Sequence, residues 1–143
     1  MLPDGVSMST RSRIGILNND GTVTSVYCHF NGYLEGVGLG LIEDHNSEEA
    51  ARGLIALGNL SFVGRGTVTA YTRDRGEDAE DNAAETHPID RWPDSGMEYA
   101  YLWRDGGWLV AANGYGPTVG DFGSTFTTIP DLIAKRAAEE EAE

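Results

Sequence analysis

Residues 13–44 read RIGILNNDGTVTSVYCHFNGYLEGVGLGLIED. Two β-rich runs flank Asn18-Asn19-Asp20-Gly21, and Asp-Gly readily supplies the positive φ of a tight reversal. Residues 13–17 and 22–29 therefore read as a hairpin. Side chains alternate along a strand. Val23, Ser25, Tyr27 and His29 then share one face, and Thr22, Thr24, Val26, Cys28 and Phe30 the other. The only cysteine and one of three histidines are neighbours, so within a strand they point apart. A nucleophile–base pair needs hydrogen-bond reach, and Cys28 reads instead as a small buried hydrophobe.

Outward from the hairpin, Val37, Leu41 and Ile42 fit a helical face that Gly36, Gly38 and Gly40 weaken. A second helix follows, capped by Asn46 or Ser47, with Glu48 and Glu49 in its first turn and Gly58 past its end. The two helices meet near His45. Residues 67–73 read as a strand. Residues 76–86 (GEDAEDNAAET) hold no aliphatic larger than alanine and have loop composition; Pro88 and Pro93 break the chain around Trp92. Residues 98–104 (EYAYLWR) form the strongest strand signal, turning at Asp105-Gly106-Gly107 into residues 108–112. Met97, Tyr99, Tyr101 and Trp103 make a stripe on one face. A glycine-rich connection with Tyr115 and Phe122 leads to a last helix at about residues 129–140, docked by Leu132 and Ile133. The sum is an α+β domain over residues 11–143 behind a flexible leader, residues 1–10. Its expected core is a single antiparallel sheet of about five strands with two or three helices on one face.

The chain has 143 residues and a formal net charge of -13. Nine of the acids lie between Asp74 and Glu98 and four in the tail, whereas residues 11–73 are nearly balanced. Such a field disfavours nucleic acid; solubility is its commoner use, and steering of basic protein partners is the functional alternative. One cysteine excludes an internal disulfide. No apolar run approaches the roughly 20 residues of a membrane span, and no signal peptide is evident.

Gly36-Val37-Gly38-Leu39-Gly40 lacks the Lys-Ser or Lys-Thr of a phosphate-binding loop and does not complete a dinucleotide fingerprint. Asp78, Asp81, His87 and Asp90 match no calcium or zinc spacing. No metal or cofactor is expected. His29, with Tyr33 nearby and Glu35 in reach to orient it, is the leading polar position. Tyr99, Tyr101 and Trp103 could stack on a base, with Arg73 and Arg75 holding phosphates; a core role for the stripe is the commoner use.

Arg13-Ile14-Gly15-Ile16, Asp20-Gly21-Thr22-Val23, Tyr27-Cys28-His29 and Gly32-Tyr33 resemble a family of small, mostly hypothetical proteins of tailed bacteriophages and prophages. The likeness extends through Gly36-Val37-Gly38, residues 54–58 and residues 101–106. Family members tend to carry Trp, Asp and Pro where this chain has Phe30, Asn31 and Leu34. The resemblance implies an accessory phage role in the host cytoplasm, such as neutralising host immunity. The expected function is non-catalytic inhibition or modulation of a host protein or ribonucleoprotein, CRISPR being one concrete target. Glu77, Asp78, Glu80, Asp81 and Glu85 would form the contact surface. The second expectation is an oligomeric binder of a nucleotide immune signal, using His29, Tyr33, Arg73, Tyr101, Trp103 and Arg104.

Overall fold

The structure is a computed structural model that describes residues 10–92, 97–112 and 127–142. Residues 1–9 of the leader, Pro93 and the glycine-rich connection lie outside the described residues. β1 (Ser12–Leu17) and β2 (Thr22–Phe30) form the hairpin, in register from Ser12 opposite Cys28 to Leu17 opposite Val23. Its turn closes where Gly21 takes φ 85°. The Asp20 carboxylate accepts from the Thr22 N–H at 3.1 Å, and the Asn18 N–H donates to the Thr22 carbonyl at 2.7 Å.

Beyond β2 the chain breaks at Asn31, which sits at φ 66°. One π-helical turn (Leu34–Gly38) runs into α1 (Leu39–Asp44). α2 (Glu48–Ala56) begins at Ser47, whose hydroxyl accepts from the Ala50 N–H at 3.0 Å, and ends before Gly58 at φ 82°. The glycine run has a packing purpose. A Cβ on Gly36 would collide with the backbone and side chain of Asn31, and one on Gly40 would lie 2.9 Å from the Gly64 carbonyl oxygen. These glycines let the helical turns lie directly on the chain beneath them.

β3 (Leu60–Gly64), β4 (Thr67–Ala70), α3 (Tyr71–Arg75), β5 (Glu85–Pro88), β6 (Tyr99–Arg104), β7 (Gly107–Ala112), β8 (Thr127–Thr128) and α4 (Ile129–Ala142) follow. The α+β class holds, but the sheet differs from expectation. It has eight strands in the order β4-β3-β2-β1-β6-β7-β8, with β5 also paired to β2. It is mixed: β1 pairs parallel with β6 and β2 parallel with β3. The single antiparallel sheet of about five strands is thereby corrected. β3 is glycine-bounded and bulged, β5 is acidic, and β8 has two residues, so none carries a strong β signal. The strand expected over residues 67–73 stops at Ala70, where α3 begins. Residues 76–86 are not loop throughout, because Glu85 opens β5.

The helices do gather on one face. Leu34, Val37, Leu41, Leu54, Ile55 and Ile129 pack with Ile14, Ile16, Val26, Cys28, Tyr101 and Trp103 in one buried cluster. The opposite face has a smaller cluster of Val23, Trp92, Ala100, Leu102 and Ala111. Trp92 lies flat enough on that face that a Cβ on Gly15 would stand 3.0 Å from its ring, and its indole N–H donates to the buried Ser25 hydroxyl at 2.7 Å.

Two glycine substitutions should separate packing from propensity in urea unfolding. Gly40→Ala should cost about 1–3 kcal/mol through overpacking. Gly53→Ala, at a helical position with nothing within 4 Å, should stabilise by about 0.5–1 kcal/mol. Ser25→Ala, which strands the Trp92 N–H, should cost about 1–3 kcal/mol.

Candidate functional site

Alternation along β2 places Cys28 and His29 on opposite sides of the sheet. Cys28 is fully buried in the helix-covered cluster, its thiol 3.4 Å from the Phe30 carbonyl oxygen. Burial pushes that thiol up to about 12, so it is neither a thiolate nor within reach of the imidazole. His29 stands on the other face, its Nδ1 2.7 Å from the Tyr27 hydroxyl. No carboxylate lies within ion-pair distance of His29 among the described residues. Tyrosine, rather than Glu35, orients the ring.

The remaining ligand candidates do not converge. Tyr101 is fully buried, stacks on Tyr99 at 6.1 Å and donates its hydroxyl to the Gly32 carbonyl at 2.7 Å. Trp103 packs edge-to-face on Trp108 at 5.5 Å. Both belong to the core, so the aromatic stripe is packing and not a surface platform. Tyr33 is exposed, its carbonyl accepting from the Gly36 N–H of the π turn. Arg104 reaches Asp105 at the β6–β7 turn.

Arg73 has a definite structural task. Its Nη2 donates to the Val68 carbonyl at 2.6 Å and to Asp74 at 2.8 Å, and Asp74 accepts from the Ala70 N–H at 2.8 Å. Val68 and Ala70 lie on the edge strand β4, two positions apart, so their outward backbone groups face one direction. The Arg73–Asp74 pair thus supplies the partners that a neighbouring strand would otherwise provide, which protects the edge against pairing with another chain. The hydrogen bonds from Arg73 hold the Asp74 carboxyl below its ordinary value.

The acidic segment is anchored rather than loose. At its start the Glu77 N–H donates to the Tyr71 carbonyl at 3.1 Å. In its middle Asn59 N–H donates to the Asn82 carbonyl at 2.7 Å, and Asp78 accepts from the N–H groups of Glu80 and Asp81 at 2.8 and 3.0 Å. At its end β5 pairs antiparallel with residues 22–25 of β2. Glu85 lies 3.5 Å from the buried Arg13 and 3.6 Å from His87. Glu77, Asp78, Glu80 and Asp81 are exposed and pair with no cation among the described residues. No group of three His, Cys, Asp or Glu side chains gathers as metal ligands among the described residues.

One grouping escaped the sequence. Across the sheet at a single level run Arg13, Tyr27, Asn59 and Tyr71: Arg13 sits opposite Tyr27, the Tyr27 N–H donates to Asn59 Oδ1 at 3.0 Å, and the Tyr71 N–H donates to the Asn59 carbonyl at 3.2 Å. The Arg75 guanidinium stands 5.5 Å from the centre of the Tyr71 ring. Burial raises the Tyr27 phenol, with the charge of Arg11 opposing. The i, i+4 spacing of Tyr71 and Arg75 was a usable helical signal, hidden by reading residues 67–73 as strand.

Comparison with protein-family models, with curated proteins and with solved structures finds no match to this chain. No helix among the described residues is long and apolar enough to cross a membrane.

Two outcomes are expected here. Native protein at pH 8 should resist a thiol reagent that labels Cys28 promptly in denaturant, and His29→Ala should leave that protection unchanged. Asp74 is held low in the fold, so its stabilisation is complete above the ordinary value of 3.8 and is lost as pH falls through the folded value. Asp74→Asn should therefore flatten the acid limb of a pH–stability profile and, by uncapping β4, raise aggregation seen in light scattering.

Proposed function

We propose that this chain is a non-catalytic bacteriophage accessory protein that binds a basic host protein or ribonucleoprotein in the host cytoplasm and inhibits or modulates it. The observation that carries this reading is the acidic arm at residues 77–85. Its backbone is tied to α3, Asn59 and β2, while the carboxylates of Glu77, Asp78, Glu80 and Asp81 lack cationic partners among the described residues. Exposed charge held on a fixed backbone loses less entropy on docking than the same charge on a mobile tail. It also steers a basic surface into contact. A nucleic-acid channel of a defence complex such as CRISPR is such a surface, and an acidic arm would compete for it.

Two further features favour binding over catalysis. The thiol and imidazole at positions 28 and 29 are separated by the sheet, and His29 is paired with a phenol instead of a carboxylate. The resemblance to phage proteins supplies the biological setting.

Glu77→Gln, Glu80→Gln and Asp81→Asn combined leave Asp78 to brace the arm. Against a purified CRISPR effector and against infected-host lysate, wild type should capture basic partners at low salt, and the triple variant should capture at least tenfold less. A recovered partner set that is the same for both proteins, or insensitive to salt between about 50 and 500 mM, would remove the charge-based reading.

A further inference from the structure

The level of the sheet that carries Tyr27 and Tyr71 has chemistry that neither the core nor the acidic arm uses. The two tyrosines flank Asn59, one bonded through its backbone N–H to the Asn59 side chain and the other to the Asn59 carbonyl. Two strand spacings separate their backbones, about 10 Å. Aromatic rings attract at centroid separations of about 4.5–7 Å, and half of that backbone spacing falls within this range. Tyr27 and Tyr71 are half-buried and Arg75 is exposed.

Charge in this patch also differs from the rest of the surface. Arg11, Arg13, Arg52, Arg65, Arg73 and Arg104 each have a carboxylate within 4.0 Å. Among the described guanidinium groups Arg75 alone does not; its neighbour is the Tyr71 ring. A cation stacked on an aromatic face remains available to an anion on its other side. His29 adds a polar edge. Its Nδ1 is taken up by the Tyr27 hydroxyl at 2.7 Å, and its Nε2 bonds to no described residue.

We propose that Tyr27, His29, Tyr71 and Arg75 form a binding site for a small planar aromatic ligand bearing a single phosphate, of the nucleoside monophosphate class. The base lies between the tyrosines, Arg75 meets the phosphate, and Nε2 of His29 forms a hydrogen bond with a polar atom of the ligand. Glu77, two residues past the end of α3 and bonded through its N–H to the Tyr71 carbonyl, and the overall charge of -13 set a limit on the ligand: a polyanionic strand is repelled where one phosphate is tolerated. The site does not depend on the arm's role.

The test is a titration of the full chain with each of the four ribonucleoside 5′-monophosphates, followed by amide NMR shifts, with adenosine and inorganic phosphate as separate arms. At least one monophosphate should saturate, shifting the amides of Tyr27, His29, Tyr71 and Arg75. Tyr71→Ala and the surface substitution Arg75→Gln should each weaken it about tenfold or more, as expected for loss of a stacking face or a charge-assisted contact. The nucleoside alone should bind more weakly than its monophosphate, and the triple arm variant, which removes the repulsion from Glu77, should bind at least as tightly as wild type. Absence of saturation with all four, saturation indifferent to Arg75→Gln in a protein of unchanged melting temperature, or inorganic phosphate binding as tightly as the monophosphates would each overturn the assignment.

Discussion

The alternation of side chains along β2 is the constraint from which the rest of the molecule follows. Nine residues in one extended run send Val26 and Cys28 into the helix-covered core and Val23 and Ser25 beneath Trp92. A shift of one residue in its pairing with β1 would turn Ser25 and Tyr27 toward the helix-covered face in place of Val26 and Cys28 and bring that apolar pair to the other face. The turn at residues 18–21 prevents that slip, because its Asn18, Asp20 and Thr22 hydrogen bonds work in one register alone. The hairpin's length matters as well. β2 is long enough to share its outer edge, β5 taking residues 22–25 and β3 taking Cys28 and Phe30.

That shared edge explains how an acidic segment with almost no hydrophobic content becomes ordered. Residues 76–84 bury little and could not fold alone. They are held because the segment starts from a helix tied to β4 and finishes as a strand on β2, with Asn82 bonded to Asn59 on the way. The energetic cost of ordering it is met by backbone hydrogen bonds to elements that the core already fixes. Like charges therefore sit on a rigid frame facing solvent, which is a different object from a solubilising tail of the same composition.

The two faces of the sheet have divided labour. One is dry and helix-covered, and its aromatic stripe is spent on packing: Tyr99 against Tyr101, Trp103 against Trp108. The other carries a small tryptophan-capped cluster and, toward the β4 edge, the polar row from Arg13 to Tyr71. Arg73 and Arg75, two residues apart, have separate jobs. The first completes the hydrogen bonds of an open strand edge, and the second lies on an aromatic ring and lacks a carboxylate partner among the described residues.

Local chemistry in the sequence was enough to determine the first hairpin, the opposite orientation of Cys28 and His29, a helix start at Asn46 or Ser47, the Gly58 stop and the Asp105-Gly106 turn. Each depends on residues a few positions apart, where propensity and φ preferences act directly. Tertiary structure alone decided that β1 runs parallel to β6 and β2 to β3, since partners so distant in the chain leave no periodic trace. It decided too that Tyr101 and Trp103 belong to the core, because a strand's pattern marks which residues share a face and not which face is covered. Finally, it brought Tyr27 near Tyr71 through Asn59, residues from three separate stretches of chain whose meeting is written only in the strand order.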